Sequence, residues 1–249
     1  MPEPSSMNNE QFVGPTREPA LWQRGSFMRL FAGHIVSHFA TSVALVAVMA
    51  KYFEVRHTTD GWGYFVALQA APFALLGLLA GYVADRLDRR WVVATSESAR
   101  CVALLGMAHA QHLPSLCVVT FVAASANAFY VPSYRALMTE LAPRDQLLQA
   151  NAMEEAGRSI VGLLGVAGCG LLLSVIPVTT CLYAVAGAYF VSALSPLLLP
   201  SAPAPPARER APTGLLEGVR LARGTPGLAQ PLLLWMMLTI LVGYEAPMF

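Results

Sequence analysis

Charged residues are scarce in this sequence. They make up 12% of its 249 residues, against about 25% in a typical soluble domain, while hydrophobic residues reach 55%. Lysine is nearly missing: Lys51 is the one example, and the other basic residues are arginines. The low charge excludes an ordinary soluble domain, and the net charge of +1 gives no reason to expect binding to nucleic acid.

Recognisable catalytic and metal-binding patterns are also lacking. The four cysteines lie in apolar runs without CxxC or Cys/His spacing, which favours packed side chains over a metal site. The sequence contains no phosphate loop and no nucleophile elbow. We therefore expect neither an enzyme nor an ATP-driven pump, and we expect no cofactor and no metal.

The N-terminal region does not resemble a secretory signal. Residues 1–26 are polar, and the apolar run that follows is too long for the core of a signal peptide. We expect residues 1–26 to form a cytoplasmic tail.

Long apolar runs dominate the remaining chain. A membrane span needs about 20 apolar residues to cross a hydrocarbon core of roughly 30 Å. Such runs cover residues 27–50, 62–84, 91–110, 114–136, 148–174 and 177–200, and a further one starts at 229. Helices are expected, because open strands would leave backbone groups unpaired in lipid.

The predicted fold is therefore an all-α membrane protein. A six-helix transmembrane bundle occupies residues 27–200, and an incomplete seventh helix occupies 229–249. Between them, residues 201–228 form a cytoplasmic linker that starts with a proline-rich stretch and contains a short amphipathic helix.

Basic residues between the runs predict the orientation. Short loops rich in Lys and Arg remain on the cytoplasmic side. One side carries Arg17, Arg24, Arg86, Arg89, Arg90, Arg135, Arg144, Arg208, Arg210, Arg220 and Arg223, and the other only Lys51 and Arg56. We therefore expect a multi-pass protein of the bacterial cytoplasmic membrane with a cytoplasmic N-terminus.

A charged hinge joins the second and third runs. Its sequence is Gly81-Tyr-Val-Ala-Asp85-Arg86-Leu-Asp-Arg89-Arg90. The pattern Gly-x-x-Ala-Asp-Arg-x-(Gly/Asp)-Arg-Arg resembles the signature loop between helices 2 and 3 of the major facilitator superfamily, in particular its exporter-like members. The resemblance runs from about residue 27 to the end of the chain. It covers the first six-helix half of such a transporter and the start of its seventh helix.

The resemblance implies an architecture and a mechanism. One half of such a transporter is a 3+3 inverted repeat, and two halves rock around a site near the membrane midplane. Helices 1 and 4 line that site. The residues Gly81, Asp85, Arg86, Arg89 and Arg90 would act as a cytoplasmic gate that pairs with the second half. The glycine-rich fifth run (Gly157, Gly162, Gly165, Gly168 and Gly170) resembles an antiporter signature.

The first run carries a polar stripe. His34, Ser37, His38 and Thr41 follow the i, i+3, i+4, i+7 spacing of one helix face. Two interpretations stay open: a seam hydrogen-bonded to neighbouring helices, or part of a substrate or proton pathway, since histidine titrates near neutral pH. A metal or haem site at His34 and His38 would need a further ligand, and no motif supplies one.

Two other runs offer residues to the same pathway. In the fourth, Asn127, Tyr130 and Tyr134 share a face that is suited either to a cavity wall for amphipathic ligands or to an interfacial aromatic belt, the belt being the better interpretation of Tyr134. In the fifth, Arg158 reaches the midplane with Glu154 one turn below it. The predicted pathway comprises His34, His38, Asn127, Tyr130 and Arg158.

The second and third runs suggest packing features. Gly77 and Gly81 form a small-residue face that lets another helix approach closely. Glu97 and Arg100, at i, i+3, predict an intramembrane ion pair with a structural or gating role, because an unpaired arginine at this depth is costly. The sixth run lacks charge and is interpreted as scaffold.

The function that these features favour is secondary transport. We expect a small organic solute to be moved outward by ion-coupled alternating access, with protons as the coupling ion, and we expect that a second six-helix half is needed. The main alternative is a truncated or half-size membrane protein that does not transport on its own. A membrane enzyme built on His34 and His38 is a third interpretation, which a bound metal or haem would reveal.

Overall fold

A computed structural model describes residues 20–58 and 60–199. Most of the predicted tail, the linker 201–228 and the seventh helix 229–249 lie outside the described residues. The six-helix region is therefore the part of the prediction to which the structure applies.

Six α-helices fill the described region, and no strand occurs within it. They are α1 (Gly25–Arg56), α2 (Trp62–Arg86), α3 (Arg89–Ala108), α4 (Leu113–Leu141), α5 (Leu147–Leu173) and α6 (Val178–Leu197). Short 3₁₀ turns precede α1 at Leu21–Gln23 and α5 at Arg144–Gln146. Each helix overlaps one of the six predicted runs.

Helix composition alone identifies fewer spans than the prediction did. Within the described residues, α1, α4, α5 and α6 are long and apolar enough to cross a membrane, and α2 is a fifth if its two segments on either side of a bend count as one span. Helix α3 does not qualify. Its Glu97 and Arg100 are buried inside the bundle, where charged side chains avoid lipid.

The helices pack in a pattern that repeats. Helix α1 contacts α5 and α6, α4 contacts α2 and α3, and α3 contacts α6. Exchanging α1, α2 and α3 for α4, α5 and α6 leaves this set of contacts unchanged. Because α1 and α4 start on opposite sides of a three-span unit, the arrangement is the one expected of a 3+3 inverted repeat.

Glycines allow α1 to approach its neighbours closely. A Cβ atom on Gly33 would collide with Ser195 of α6, and one on Gly165 of α5 would lie 2.7 Å from Ser42 Cβ. The packing predicted for Gly77 and Gly81 of α2 does not occur within the described residues. A Cβ on either glycine would meet nothing within 4 Å, because α2 packs on α4 through another face.

Candidate functional site

A polar cavity lies between the helices of the bundle. It has a volume of about 190 Å³ and is partly open. Four helices contribute side chains: α1, α3, α4 and α5. The lining residues are His34, Ser37, His38, Thr41, Arg100, Asn127, Tyr130, Val131, Tyr134, Arg135, Glu154 and Arg158. All five predicted pathway residues are therefore placed around one cavity.

The polar stripe of α1 has both features that its spacing suggested. Its four side chains line the cavity, and Ser37 and Thr41 also bond to neighbouring helices. Ser37 Oγ donates to Glu97 Oε1 of α3 at 2.7 Å, and Thr41 Oγ1 accepts from Arg100 Nη2 at 2.5 Å. Seam and cavity wall are thus one surface.

His34 is held tightly by two tyrosines of α4. Its Nδ1 lies 2.8 Å from the Tyr130 hydroxyl, and its ring stacks on Tyr134 with centroids 3.9 Å apart. The ring is 8% exposed, and Nε2 is buried without a hydrogen-bond partner. When Nδ1–H donates to the Tyr130 hydroxyl, Nε2 carries the lone pair of the neutral imidazole.

Tyr134 belongs to the cavity wall. The aromatic-belt interpretation was wrong, because Tyr134 is 2% exposed and stacks on His34. A residue in an interfacial belt keeps its hydroxyl at the membrane surface, whereas this hydroxyl is buried.

Helix α5 presents its charges differently from the prediction. Arg158 Nη2 donates to Glu155 at 2.7 and 2.9 Å, three residues earlier and on an exposed surface. Glu154, predicted to lie below Arg158, instead has Oε1 3.7 Å from Nε2 of His34. Which of these two partners Glu154 meets depends on the rotation of α5 against α1. The spacing of residues along one helix cannot predict that rotation.

Glu97 and Arg100 lie beside the cavity as a buried pair. Arg100 Nη1 lies 3.1 Å from Glu97 Oε1, and the side chains are 4% and 0% exposed. The guanidinium also donates to Ser37, Thr41 and the Tyr189 hydroxyl of α6, and it stacks over the Tyr189 ring at 4.1 Å. These partners satisfy an arginine that would otherwise be costly at this depth.

Sequence reasoning missed Tyr189 and Glu140. Helix α6 was interpreted as scaffold because it carries no charge, yet Tyr189 bonds Arg100 at 2.6 Å. Glu140, near the end of α4, pairs with Arg89 of the hinge. A lone tyrosine in an apolar helix and a glutamate at a helix end give no signal of their partners.

The hinge residues divide into two groups. Arg89 and Arg90 bond within this bundle: Arg89 to Glu140, and Arg90 to Asp88 at 2.9 Å and to the Leu199 carbonyl at 2.9 Å. Asp85 and Arg86 are exposed. Arg86 stacks over the Tyr82 ring at 4.5 Å, and Asp85 has no bond or ion pair among the described residues.

Asp88 stands at the hinge position where the family pattern has Gly or Asp, and its side chain has a structural role there. Its side chain caps α3 by accepting a hydrogen bond from the Arg90 backbone nitrogen at 3.0 Å. The bond from the Arg90 side chain lowers the pKa of Asp88 below its ordinary value. The carboxylate therefore stays ionised at neutral pH and remains in place as a cap.

Metal ligands do not cluster in the described part of the chain. No group of three or more His, Cys, Asp or Glu side chains is close enough there to hold an ion. The rings of His34 and His38 lie 6.1 Å apart, and Glu154 is the acidic neighbour of His34.

The sequence matches known transporters along most of its length. It is 25% identical over 223 residues, 87% of this chain, to YfiS of Bacillus subtilis, described as an uncharacterised MFS-type transporter. It is 30% identical over 148 residues, 56% of this chain, to the MFS-type transporter Rv0037c of Mycobacterium tuberculosis. The chain spans about half of YfiS (54%) and 33% of Rv0037c.

The family profile described as Major Facilitator Superfamily matches residues 30–249. That match includes all six helices of the bundle except the first turns of α1. The hinge motif, the repeated packing and the cavity agree with it. The chain belongs to the Major Facilitator Superfamily and is a multi-pass membrane protein.

Proposed function

We propose that this chain is the N-terminal half of a secondary transporter that moves a small organic solute outward in exchange for protons. The observation that carries the proposal is the polar cavity inside an apolar bundle. Ionisable groups inside membrane helices are costly and mark solute or ion pathways. Here two histidines, three arginines and a glutamate converge on one cavity.

The cavity wall suits an amphipathic solute. Tyr130 and Tyr134 give it aromatic surface, Asn127 offers both a donor and an acceptor, and Arg158 lies on the exposed side. Apolar surface with a few convergent polar groups is the usual composition of sites for small organic molecules.

A second six-helix half is part of the proposal. The cavity is partly open, and α5 is only 11% buried over its most apolar stretch. Alternating access needs an opposing wall that can move against this one. In a bacterial cytoplasmic membrane, with the N-terminus in the cytoplasm, the second half would cover the opening and lipid the outer faces.

The hinge would act as the cytoplasmic gate. Asp85 and Arg86 are the exposed members of the motif, so they are the ones available to pair with the second half. Arg89 and Arg90 would position the hinge by binding α4 and the end of α6. The open surface at Gly81 leaves room for a helix of the second half.

Transport can be tested in cells with and without the full-length protein. Mass spectrometry would identify solutes retained when the protein is missing. Such a solute is then added to inverted vesicles that hold a proton gradient, and a pH-sensitive dye follows the gradient. We expect retention in the cells and dissipation in the vesicles; finding neither would contradict the proposal.

A pair of variants and the expression of residues 1–249 alone make the test more specific. Asn127→Ala should raise the solute concentration for half-maximal dissipation, whereas Asn151→Ala, on an exposed part of α5 and outside the cavity, should not. Expression of residues 1–249 alone examines the alternative of a half-size protein. Dissipation by that chain would remove the need for a second half.

A further inference from the structure

Two glutamates lie at or beside the cavity on its buried side, and they differ in how many hydrogen bonds hold their carboxyl groups. Glu97 is 0% exposed, and its Oε1 accepts hydrogen bonds from Ser37 at 2.7 Å and from Arg100 at 3.1 Å. Its carboxyl group is therefore held in place by a buried guanidinium. Glu154 lines the cavity, is 14% exposed, and makes no hydrogen bond with the described residues.

Glu154 faces a nitrogen that also lacks a partner. Its Oε1 lies 3.7 Å from Nε2 of His34, longer than a hydrogen bond but close enough for a small shift to form one. Buried polar atoms are nearly always paired, so an orphan atom needs an explanation. His34 Nε2 is such an atom, in a side chain more than nine-tenths buried at the cavity wall.

The imidazole is fixed in the orientation that a proton relay requires. The Tyr130 hydroxyl holds Nδ1 at 2.8 Å, and stacking on Tyr134 prevents rotation of the ring. Nε2 is therefore directed permanently at the carboxylate. An oriented base within reach of an acid is the arrangement that supports proton transfer.

We propose that Glu154 and His34 form the proton-binding pair of this half, which holds one exchangeable proton between Glu154 Oε1 and His34 Nε2. A proton from cavity water binds the carboxylate, passes to the Nε2 lone pair, and returns to water by the reverse steps. No other bond is made or broken. The pair alternates between net charges of 0 and −1, and this assignment rests on the proposed transport function.

Positive and titratable groups approach the pair from every helix that packs around it. They are His38 on α1, Arg100 on α3, Tyr130, Tyr134 and Arg135 on α4, and Glu155 and Arg158 on α5. The three arginines stabilise the deprotonated pair, and burial opposes this by favouring its neutral form. These opposing effects of the arginines and of burial allow the pair both to bind the proton and to release it.

Infrared difference spectroscopy of the full-length protein in lipid nanodiscs tests the assignment. The pH is stepped from alkaline to acidic, and the absorption of protonated carboxyl groups is followed. We expect one titrating carboxyl band to disappear in Glu154→Gln and to persist in the matched variant Glu155→Gln, because Glu155 is exposed and bound to Arg158.

A second variant separates a relay from a lone acid. In His34→Asn the proton has one site instead of two, so the midpoint of the band should move to lower pH. A Glu154→Gln spectrum identical to that of the unmodified protein would overturn the pair, whether or not the protein transports. If the band belongs to Glu154 but the protein dissipates no gradient with any solute, the transport function fails and the proton site stands.

Discussion

The Tyr189 hydroxyl of α6 lies 2.6 Å from Nη2 of Arg100 on α3, and it donates in turn to Thr41 of α1 at 3.1 Å. Three helices therefore meet at one phenol group. The tyrosine ring also makes a cation–π contact, because Cζ of Arg100 lies 4.1 Å from the ring centroid. A helix without charge thus completes the hydrogen bonding of the arginine that is most deeply buried among the described residues.

Removal of this hydroxyl should destabilise the bundle. Tyr189→Phe keeps the ring under Arg100 but leaves a buried N–H without an acceptor, at a cost of about 1–3 kcal/mol. Thermal unfolding of the detergent-purified protein measures the effect. Tyr183→Phe is the matched control, because its hydroxyl bonds His109 on an exposed surface of the same helix. Equal midpoints for the two variants would contradict the role of Tyr189.

The yield of folded protein should fall when either Glu97 or Arg100 loses its partner. Glu97→Gln leaves a buried arginine without its counter-ion, and breaking a buried pair costs about 3–5 kcal/mol. We expect little folded protein in the membrane fraction, measured by fluorescence-detected size exclusion. Replacement of both residues by glutamine removes the uncompensated charge and should recover much of the yield. A double variant no better than Glu97→Gln would argue against charge pairing.

Substitution of a glycine in α5 by alanine should lower stability only where α1 lies close to that glycine. Gly165→Ala places a Cβ 2.7 Å from Ser42 Cβ and 3.2 Å from the Phe39 carbonyl oxygen, so α5 must move away from α1. Overpacking of this kind costs about 1–3 kcal/mol. Gly168→Ala meets nothing within 4 Å and should leave the unfolding midpoint unchanged or slightly raised. The reverse order of the two variants would mean that α5 has a different rotation.

Asp85 should matter for transport and not for folding. It is exposed and unbonded within the described residues, so Asp85→Asn should insert normally while solute flux falls. Asp88→Ala makes the useful comparison, since it removes the oxygen that caps α3 and binds Arg90, and it should lower stability by about 1 kcal/mol. Flux assays and unfolding midpoints are measured on both variants. Normal flux in Asp85→Asn would remove Asp85 from the gate.

Sequence patterns predicted the helices well because they depend on neighbours along the chain. Apolar length and the hinge charges were enough to place six helices close to their observed bounds. The same-face spacing of His34 and His38, and of Asn127 and Tyr130, correctly set each pair on one side of its helix. These are local properties of a 3.6-residue repeat.

Contacts between helices could not be predicted in this way. Whether Glu154 meets Arg158 along α5 or His34 across the bundle depends on how α5 is rotated against α1, to which it packs closely at Gly165. The partnership of Tyr189 and Arg100 joins residues 89 positions apart through α3 and α6. The small-residue face of α2 was recognised, but its spacing does not show whether another helix covers it, and none does among the described residues.

The bond from Arg90 to the Leu199 carbonyl fastens the start of α3 to the end of α6. Asp88 holds the same arginine from the other side at 2.9 Å. Two ends of the chain's first six helices, separated by more than a hundred residues, are therefore one rigid corner. We expect probes at the exposed Leu87 and Leu198 to keep a constant separation, so that displacements of other parts of the protein can be measured from this corner.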